Sequence, residues 1–489
     1  MFGKKRSWIT FTAVCLLLTA AVVFWPFERD TKAGLPQYWI TVDESELEHL
    51  RANLVVPDIA DLELVEKRGG LAIVRADEVQ LLALTSGMHD AFHKCAGFIR
   101  HSSYDEASAA IDDHLAASVS NQFVDYTIDN QASVNPMLGL AQEAKVRQTI
   151  ADLSALPTRR HDQQGGIDGA NTILTKWRTL ALGRSDITVE PFGHFNTNGD
   201  FLTPQPSIVM TILGTEFPNE IVVVGGHQDS INSSGGATAL APGADDDASG
   251  IASITEAIRV IKETGFRPKR TVQFMAYAAE EIGLVGSKNI AEIYRAQNKN
   301  VVGVMQLDMT NFKGPSADIA MITDNTNAAQ NQFIKDLVIA YQPSLVVIDS
   351  ACGYGCSDHA SWHAKQYAAS MPFEAKYPAE YNTAIHKTTD TLDRSSNNAN
   401  HALKFSKRAV APVAAPRTRF DFDGDGKADL SVFRPADGVW HINGSATGYS
   451  ATGFGISTDR VIPADFDGDG KADMIVYRPS NGTWYRLAP

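Results

Sequence analysis

APGADDDASG, Ala241 to Gly250, places three adjacent carboxylates, Asp245, Asp246 and Asp247, directly before an apolar stretch in which Ile251, Ile254, Ile258 and Ile261 recur at the helical period. Three neighbouring carboxylates repel one another, and two readings account for them. They cap the start of the helix, where free N–H groups and the helix dipole favour negative charge, or they hold a metal ion. The stretch alone leaves both open.

On either side of this run, between about 135 and 407, helical patterns (GLAQEAKVRQTIADLSAL, GANTILTKWRTLAL) alternate with strand patterns (IVMTIL, IVVVGG, TVQFMAYA, VVGVMQLDM). The last three strands are continuous apolar runs, the mark of strands buried on both faces. The expected fold class is therefore α/β, a mostly parallel central sheet flanked by helices. Ligand sites in such sheets lie beyond the carboxyl ends of the strands. There IVVVGG runs into His227 and Asp229, TVQFMAYA into Glu280 and Glu281, and VVGVMQL into Asp308. With the acidic run and His386 in AIHKTTDT, one site collects two histidines and several carboxylates. Such a mixed donor set suits Zn²⁺ or another borderline divalent ion, and two ions about 3.5–4 Å apart need a bridging carboxylate. Adjacent Glu280 and Glu281 point in different directions on an extended segment, so one can ligate while the other acts as general base. Asp229, two residues after His227, is placed to orient the imidazole.

These motifs in this order, GGHQDS, APGADDDASG, MAYAAEE, QLDMTN, CGYGCSDHASWH, MPFE and IHKTTDT, resemble the secreted bacterial leucyl aminopeptidases, which are co-catalytic dizinc exopeptidases. The resemblance implies a zinc exopeptidase fold over 135–407 and two Zn²⁺. It implies that Asp246 bridges them, with Glu281 and His386 completing one ion and His227 and Asp308 the other, and that Glu280 is the general base. Asp245 and Asp247 then shape and cap the turn, and a strained peptide bond is expected between Asp246 and Asp247. Tyr354, in the loop closed by Cys352 and Cys356, is implied to stabilise the oxyanion. An apolar pocket for a Leu-like N-terminal residue is implied, walled by Met309, Ile322, Met371, Phe373, Tyr377, Tyr381 and Ile385. The partner is a peptide or protein with a free N-terminus, and the catalytic domain is expected to be monomeric. No HExxH and no G-x-S-x-G occurs.

The chain has 489 residues and a formal net charge of -14 without a long basic cluster, which argues against nucleic-acid binding. Lys4, Lys5 and Arg6 precede an apolar run from about Trp8 to Phe27, so 1–30 reads as a signal peptide or a membrane anchor and the protein as exported, to the periplasm, the cell surface or the medium. Export permits a Cys352–Cys356 disulfide, the alternative being two buried thiols, and leaves Cys95 unpaired. Residues 36–125 read as a small α+β unit, a propeptide that chaperones or inhibits, or else a lasting accessory domain. Residues 408–417 read as a linker. From 418 to 489 the chain repeats itself: DFDGDGKADLSVFRPADGVWHI from Asp421 and DFDGDGKADMIVYRPSNGTWYRL from Asp465. Alternating acids (Asp421, Asp423, Asp425 and Asp429; Asp465, Asp467, Asp469 and Asp473) suit Ca²⁺, and the units resemble the calcium-loop blades of integrin-type β-propellers. Two blades cannot close a propeller, so a small all-β attachment module is expected.

Overall fold

The computed structural model describes residues 36–53, 57–92, 97–116, 128, 130–196, 198–413, 420–424, 429–463, 466 and 471–488. The export segment 1–30, Cys95, Asp425, Asp465, Asp467, Asp469 and residues 414–417 of the expected linker lie outside them.

The first elements are β1 (Gln37–Asp43), α1 (Glu44–Asn53), α2 (Pro57–Ala60), β2 (Glu63–Arg68), β3 (Leu71–Asp77), α3 (Glu78–Phe92), β4 (Phe98–His101) and α4 (Tyr104–Ala116). The strands form an antiparallel sheet in the order β2-β3-β1-β4. Alternation in β1 and β3 puts Ile40, Val42, Ala72, Val74 and Ala76 on one face, and α1 and α3 cover it with Leu47, Leu50, Leu81, Leu84 and Met88.

Next come α5 (Gln131–Gly139), α6 (Glu143–Ser154), α7 (Gln164–Ala181), β5 (Ile187–Phe195), β6 (Phe201–Ile212), β7 (Phe217–His227), α8 (Ala248–Glu263), β8 (Arg270–Tyr277), α9 (Val285–Ala296) and β9 (Asn300–Gln306). They are followed by β10 (Ile319–Ile322), α10 (Ala328–Tyr341), β11 (Val347–Ser350), α11 (His359–Ala364), β12 (Ala369–Ser370), β13 (Pro372–Phe373) and α12 (Ala402–Val413). The central sheet runs β12-β9-β7-β8-β6-β5. Strands β12, β9, β7 and β8 are parallel, while β6 and β5 add an antiparallel edge. The α/β class expected from the apolar runs is what forms.

Helix α8 packs against β7, α6 and α12, and its Ile251, Ile254, Ile258 and Ile261 are all buried in the main core. Each such side chain contributes about 1.5–3 kcal/mol of transfer free energy. A helix buried on nearly every side has its start fixed, which is why the acidic run before it can be held rigidly.

Residues 408–413 depart from the linker reading: they form the end of α12, with Ala409, Val410 and Ala411 in the core. Pro412 forgoes one backbone hydrogen bond in the last turn, and the burial of Ala409, Val410 and Ala411 just before it offsets that loss. At its other end the catalytic stretch begins before 135, with α5, whose Val134, Met137 and Leu138 are core residues.

The tail supplies β14 (Leu430–Arg434), β15 (Val439–Gly444), β16 (Gly448–Gly453), β17 (Arg460–Val461), β18 (Met474–Arg478) and β19 (Thr483–Leu487). They form two three-stranded sheets, β14-β15-β16 and β17-β18-β19. No helix among the described residues is long and apolar enough to cross a membrane.

Candidate metal centre

The parallel strands β7, β8 and β9 end side by side, so His227 closes β7, Glu280 and Glu281 follow β8, and Asp308 follows β9. The loop before α8 brings Asp246 to the same edge. His227 Nε2 lies 2.9 Å from Asp246 Oδ1 and 3.4 Å from Asp308 Oδ1. His386 Nε2 lies 3.2 Å from Asp246 Oδ2 and 2.7 Å from Glu281 Oε2. Two groups able to hold a metal ion result, His227/Asp246/Asp308 and Asp246/Glu281/His386, and each uses one oxygen of Asp246.

The donor set fits cations. Four buried carboxylates, from Asp246, Glu280, Glu281 and Asp308, face two imidazoles, and apart from those rings Glu280 Oε2, both Glu281 carboxylate oxygens, Asp246 Oδ2 and Asp308 Oδ1 have no hydrogen-bond partner. Burial pushes the Glu280 carboxyl well above the usual carboxylate range, with Glu281, Asp358 and Asp308 adding to it, and raises Glu281 to about 7. A divalent ion between these oxygens removes that penalty.

Asp229 reaches two parts of the site. Its Oδ1 is 3.5 Å from His227 Nδ1 and accepts from the Glu280 N–H (3.0 Å), while Oδ2 accepts from the Glu281 N–H (3.2 Å). One carboxylate thus orients both the β7 histidine and the two glutamates after β8.

The three acids of the run separate by role. Asp247 caps α8: Oδ1 accepts from the N–H groups of Gly250 (2.8 Å) and Met309 (3.2 Å), and Oδ2 from that of His227 (3.1 Å). Asp245 Oδ1 accepts from the Asn311 N–H (2.9 Å), and its Oδ2 from Asn382 Nδ2 (3.0 Å). Asp246 alone faces both imidazoles. The peptide bond between Asp246 and Asp247 is cis, at the position where the resemblance placed a special one.

Several residues that hold this arrangement were not singled out from the sequence. Asp390 accepts from the N–H groups of Asp245 (3.2 Å) and Asp246 (3.1 Å), its carbonyl accepts from that of Ala244 (3.1 Å), and burial raises its carboxyl to about 8. Glu374 accepts from the N–H groups of Phe312 (2.7 Å) and Asn382 (3.0 Å), and burial, with the nearby Asp245, pushes its carboxyl well above the usual carboxylate range. Arg159 is fully buried and donates to the carbonyls of Gln228 (2.9 Å), Leu153 (3.3 Å), Pro242 (2.5 Å) and Gly243 (2.8 Å). It is a countercharge beneath the acids. Asp390 and Glu374 stand inside the IHKTTDT and MPFE motifs, the one signal that could have drawn notice to them.

Met309, Ile322, Met371, Phe373, Tyr381 and Ile385 form one buried cluster with Cys352 and Cys356, and Tyr354 and Tyr377 pack against it. Cys352 and Cys356 are disulfide-bonded.

The N-terminal unit also reaches the site. Thr85 Oγ1 donates to the Glu281 carbonyl (3.3 Å), Tyr377 Oη to the Phe92 carbonyl (3.5 Å), and the His89 ring lies against that of His386. Glu78 accepts from His161 Nε2 (3.0 Å), and Arg100 donates its N–H to the Gly283 carbonyl (3.2 Å). No residue of the two metal groups, nor Glu280, is more than 3 % exposed.

In the tail, Asp421, Asp423 and Asp429 form another group able to hold a cation, as do Glu78, His161 and Asp162 at the edge of the N-terminal unit. Asp473, the counterpart of Asp429, accepts from Arg486 Nε (2.6 Å) and from the Phe466 N–H (2.9 Å).

Comparison with known proteins agrees with this geometry. Residues 207–411 match the model of peptidase family M28, and 421–476 match that of the FG-GAP-like repeat. The chain is 33 % identical over 277 residues to a probable aminopeptidase of Saccharomyces cerevisiae, covering 55 % of this chain and 72 % of the relative. It is 35 % identical over 288 residues to a probable leucine aminopeptidase of Arthroderma benhamiae, covering 57 % and 72 %. The crystal structure of the LapA aminopeptidase of Legionella pneumophila superposes with a TM-score of 0.65 at 27 % identity, over 77 % of this chain and 97 % of that one. With its strand-end donors, its acidic run and these relatives, the chain belongs to peptidase family M28 and groups with the aminopeptidases of that family.

Proposed function

We propose that the protein is an exported two-zinc aminopeptidase that removes large apolar, Leu-like residues from the N-termini of peptides. The observation that carries this reading is the pair of ligand groups sharing Asp246 at the carboxyl ends of three parallel strands. His227, Asp246 and Asp308 would hold one Zn²⁺ and Asp246, Glu281 and His386 the other. When bound, the pair supplies Lewis-acid polarisation of the scissile carbonyl and a lowered water pKa.

The chain's own residues do the rest. Glu280, kept off the ligand set by its neighbour Glu281, accepts a proton from the attacking water and passes it to the leaving amine. Asp229 holds both glutamates' backbone and His227 in register for that transfer. Tyr354, anchored by the Cys352–Cys356 bridge, donates to the developing oxyanion. The apolar cluster around Met309, Ile322, Met371, Phe373, Tyr377, Tyr381 and Ile385 receives the side chain of the N-terminal residue, and the excess of carboxylates attracts its ammonium group.

The unit 37–116 is read as a propeptide that keeps the enzyme latent, a reading supported by α3 lying against the site, with Thr85 bonded to the Glu281 carbonyl and the His89 ring beside that of His386. The tail is read as a calcium-stiffened attachment module, supported by the Asp421/Asp423/Asp429 group. Hydrolysis of Leu-p-nitroanilide and its N-acetylated form, with metal content before and after chelation, tests the activity. Equal rates on the two substrates, or fewer than two ions per active molecule, would sink the reading.

A further inference from the structure

Asp421 and Asp465 open the two tail repeats 44 residues apart, so Phe422 corresponds to Phe466, Leu430 to Met474, Val432 to Val476 and Trp440 to Trp484. Near-identical sequences should bury corresponding residues alike. They do not: Phe422 is 5 % and Trp440 2 % exposed against 64 % for Phe466 and 55 % for Trp484, whereas Met474 is 4 % and Val476 0 % exposed against 73 % for Leu430 and 59 % for Val432.

The register explains the inversion. In the first sheet Phe433 pairs with Trp440 and Ser431 with Ile442 on one face, and Leu430 and Val432 stand on the other. In the second sheet Met474 and Val476 occupy the face equivalent to Leu430 and Val432, and Tyr477 pairs with Trp484 on the opposite one. The apolar cluster between the repeats joins Phe422, Trp440 and Ile442 of the first to Ala472, Met474 and Val476 of the second. One repeat's aromatic face is therefore seated on the next repeat's aliphatic face. The pair leaves one unused copy of each: an aliphatic face on the first repeat, extended by exposed Tyr449 opposite Asn443, and an aromatic face on the second.

We propose that the tail modules of two copies of this chain associate head to tail, Phe466 and Trp484 of one seating on Leu430 and Val432 of the other, by the packing that already joins the two repeats within a chain. The occupant is indicated by that internal interface, in which an aromatic face of one repeat already packs on an aliphatic face of the other. Such a contact is heterologous, so it closes into a ring or runs on. Either result hides the apolar faces and gives each blade a second neighbour. A single blade-to-blade face is small, so the association depends on concentration.

Light scattering of the full chain over a range of concentrations tests this, with Val432→Asp blocking the aliphatic face and Trp484→Asp the aromatic one. Far-ultraviolet circular dichroism and retained peptidase activity check that both variants are folded. The wild type should rise to at least twice the mass of one chain, each variant alone should stay at one, and an equimolar mixture should form a two-chain species, because each variant keeps the face the other lacks. A wild type that stays at the mass of one chain overturns the proposal, as does a mixture that stays there. A single-chain wild type whose binding to an insoluble polysaccharide falls with Trp484→Asp also overturns it, and assigns the aromatic face to a glycan.

Discussion

The imidazole of His89 on α3 lies 5.0 Å, centroid to centroid, from that of His386, so a residue of the N-terminal unit touches a member of the candidate metal group. Under the proposed function the substrate's N-terminal residue binds beside His386, where α3 lies. The intact chain should therefore hydrolyse Leu-p-nitroanilide slowly, and release of the N-terminal unit by limited proteolysis should raise kcat/KM by roughly tenfold for each 1.4 kcal/mol of docking free energy. Unchanged kinetics after verified release would show that the unit is a lasting accessory domain.

Glu78 ties the same unit down. Burial pushes its carboxyl up, but the hydrogen bond and charge of His161 and the charges of Arg100 and Arg160 outweigh that and hold it at about 2, against an ordinary 4.5. An acid depressed in this way stabilises the docked arrangement above its ordinary value and loses that contribution as pH falls from 4.5 toward 2. The shift corresponds to about 3 kcal/mol. Urea titrations across this window should show the wild type losing stability where Glu78→Gln, already weaker at neutral pH, changes less. Parallel curves would remove Glu78 from the latch.

Glu280→Gln keeps shape and removes the proposed base. The expected result is a fall in kcat of about 10²–10⁴ with KM and zinc content little changed. Loss of zinc in this variant would mean that Glu280 is a ligand.

Asp246 and Asp247 are neighbours with separable consequences. Asp246→Asn should abolish binding of both ions, measured by metal analysis after dialysis. Asp247→Asn turns an amide group toward backbone N–H donors, so it should lower unfolding stability by about 1–3 kcal/mol while two-ion binding persists in the folded fraction. Equal loss of metal in both variants would contradict this division of the run.

The amino-acid sequence by itself determined the α/β class, the strands and the residues that meet at their ends. Continuous apolar runs force strands into the interior, and whatever polar groups follow them must emerge at one edge. It also marked the tail repeat, because self-similarity is a property of the string. Short or atypical elements escaped it: β4 has four residues, and the end of α12 carries a proline that reads locally as a linker. Only the tertiary structure decided what supports Asp246. Asp390 reaches its backbone across 144 residues, and Arg159 reaches Gly243 across 84, through bonds to main-chain atoms that every residue possesses. The same is true of α3 over His386 and of the unequal burial of Trp440 and Trp484. Identical side chains differ there because only one of the two has a neighbour to cover it, and a neighbour is a fact of packing, which no local pattern encodes.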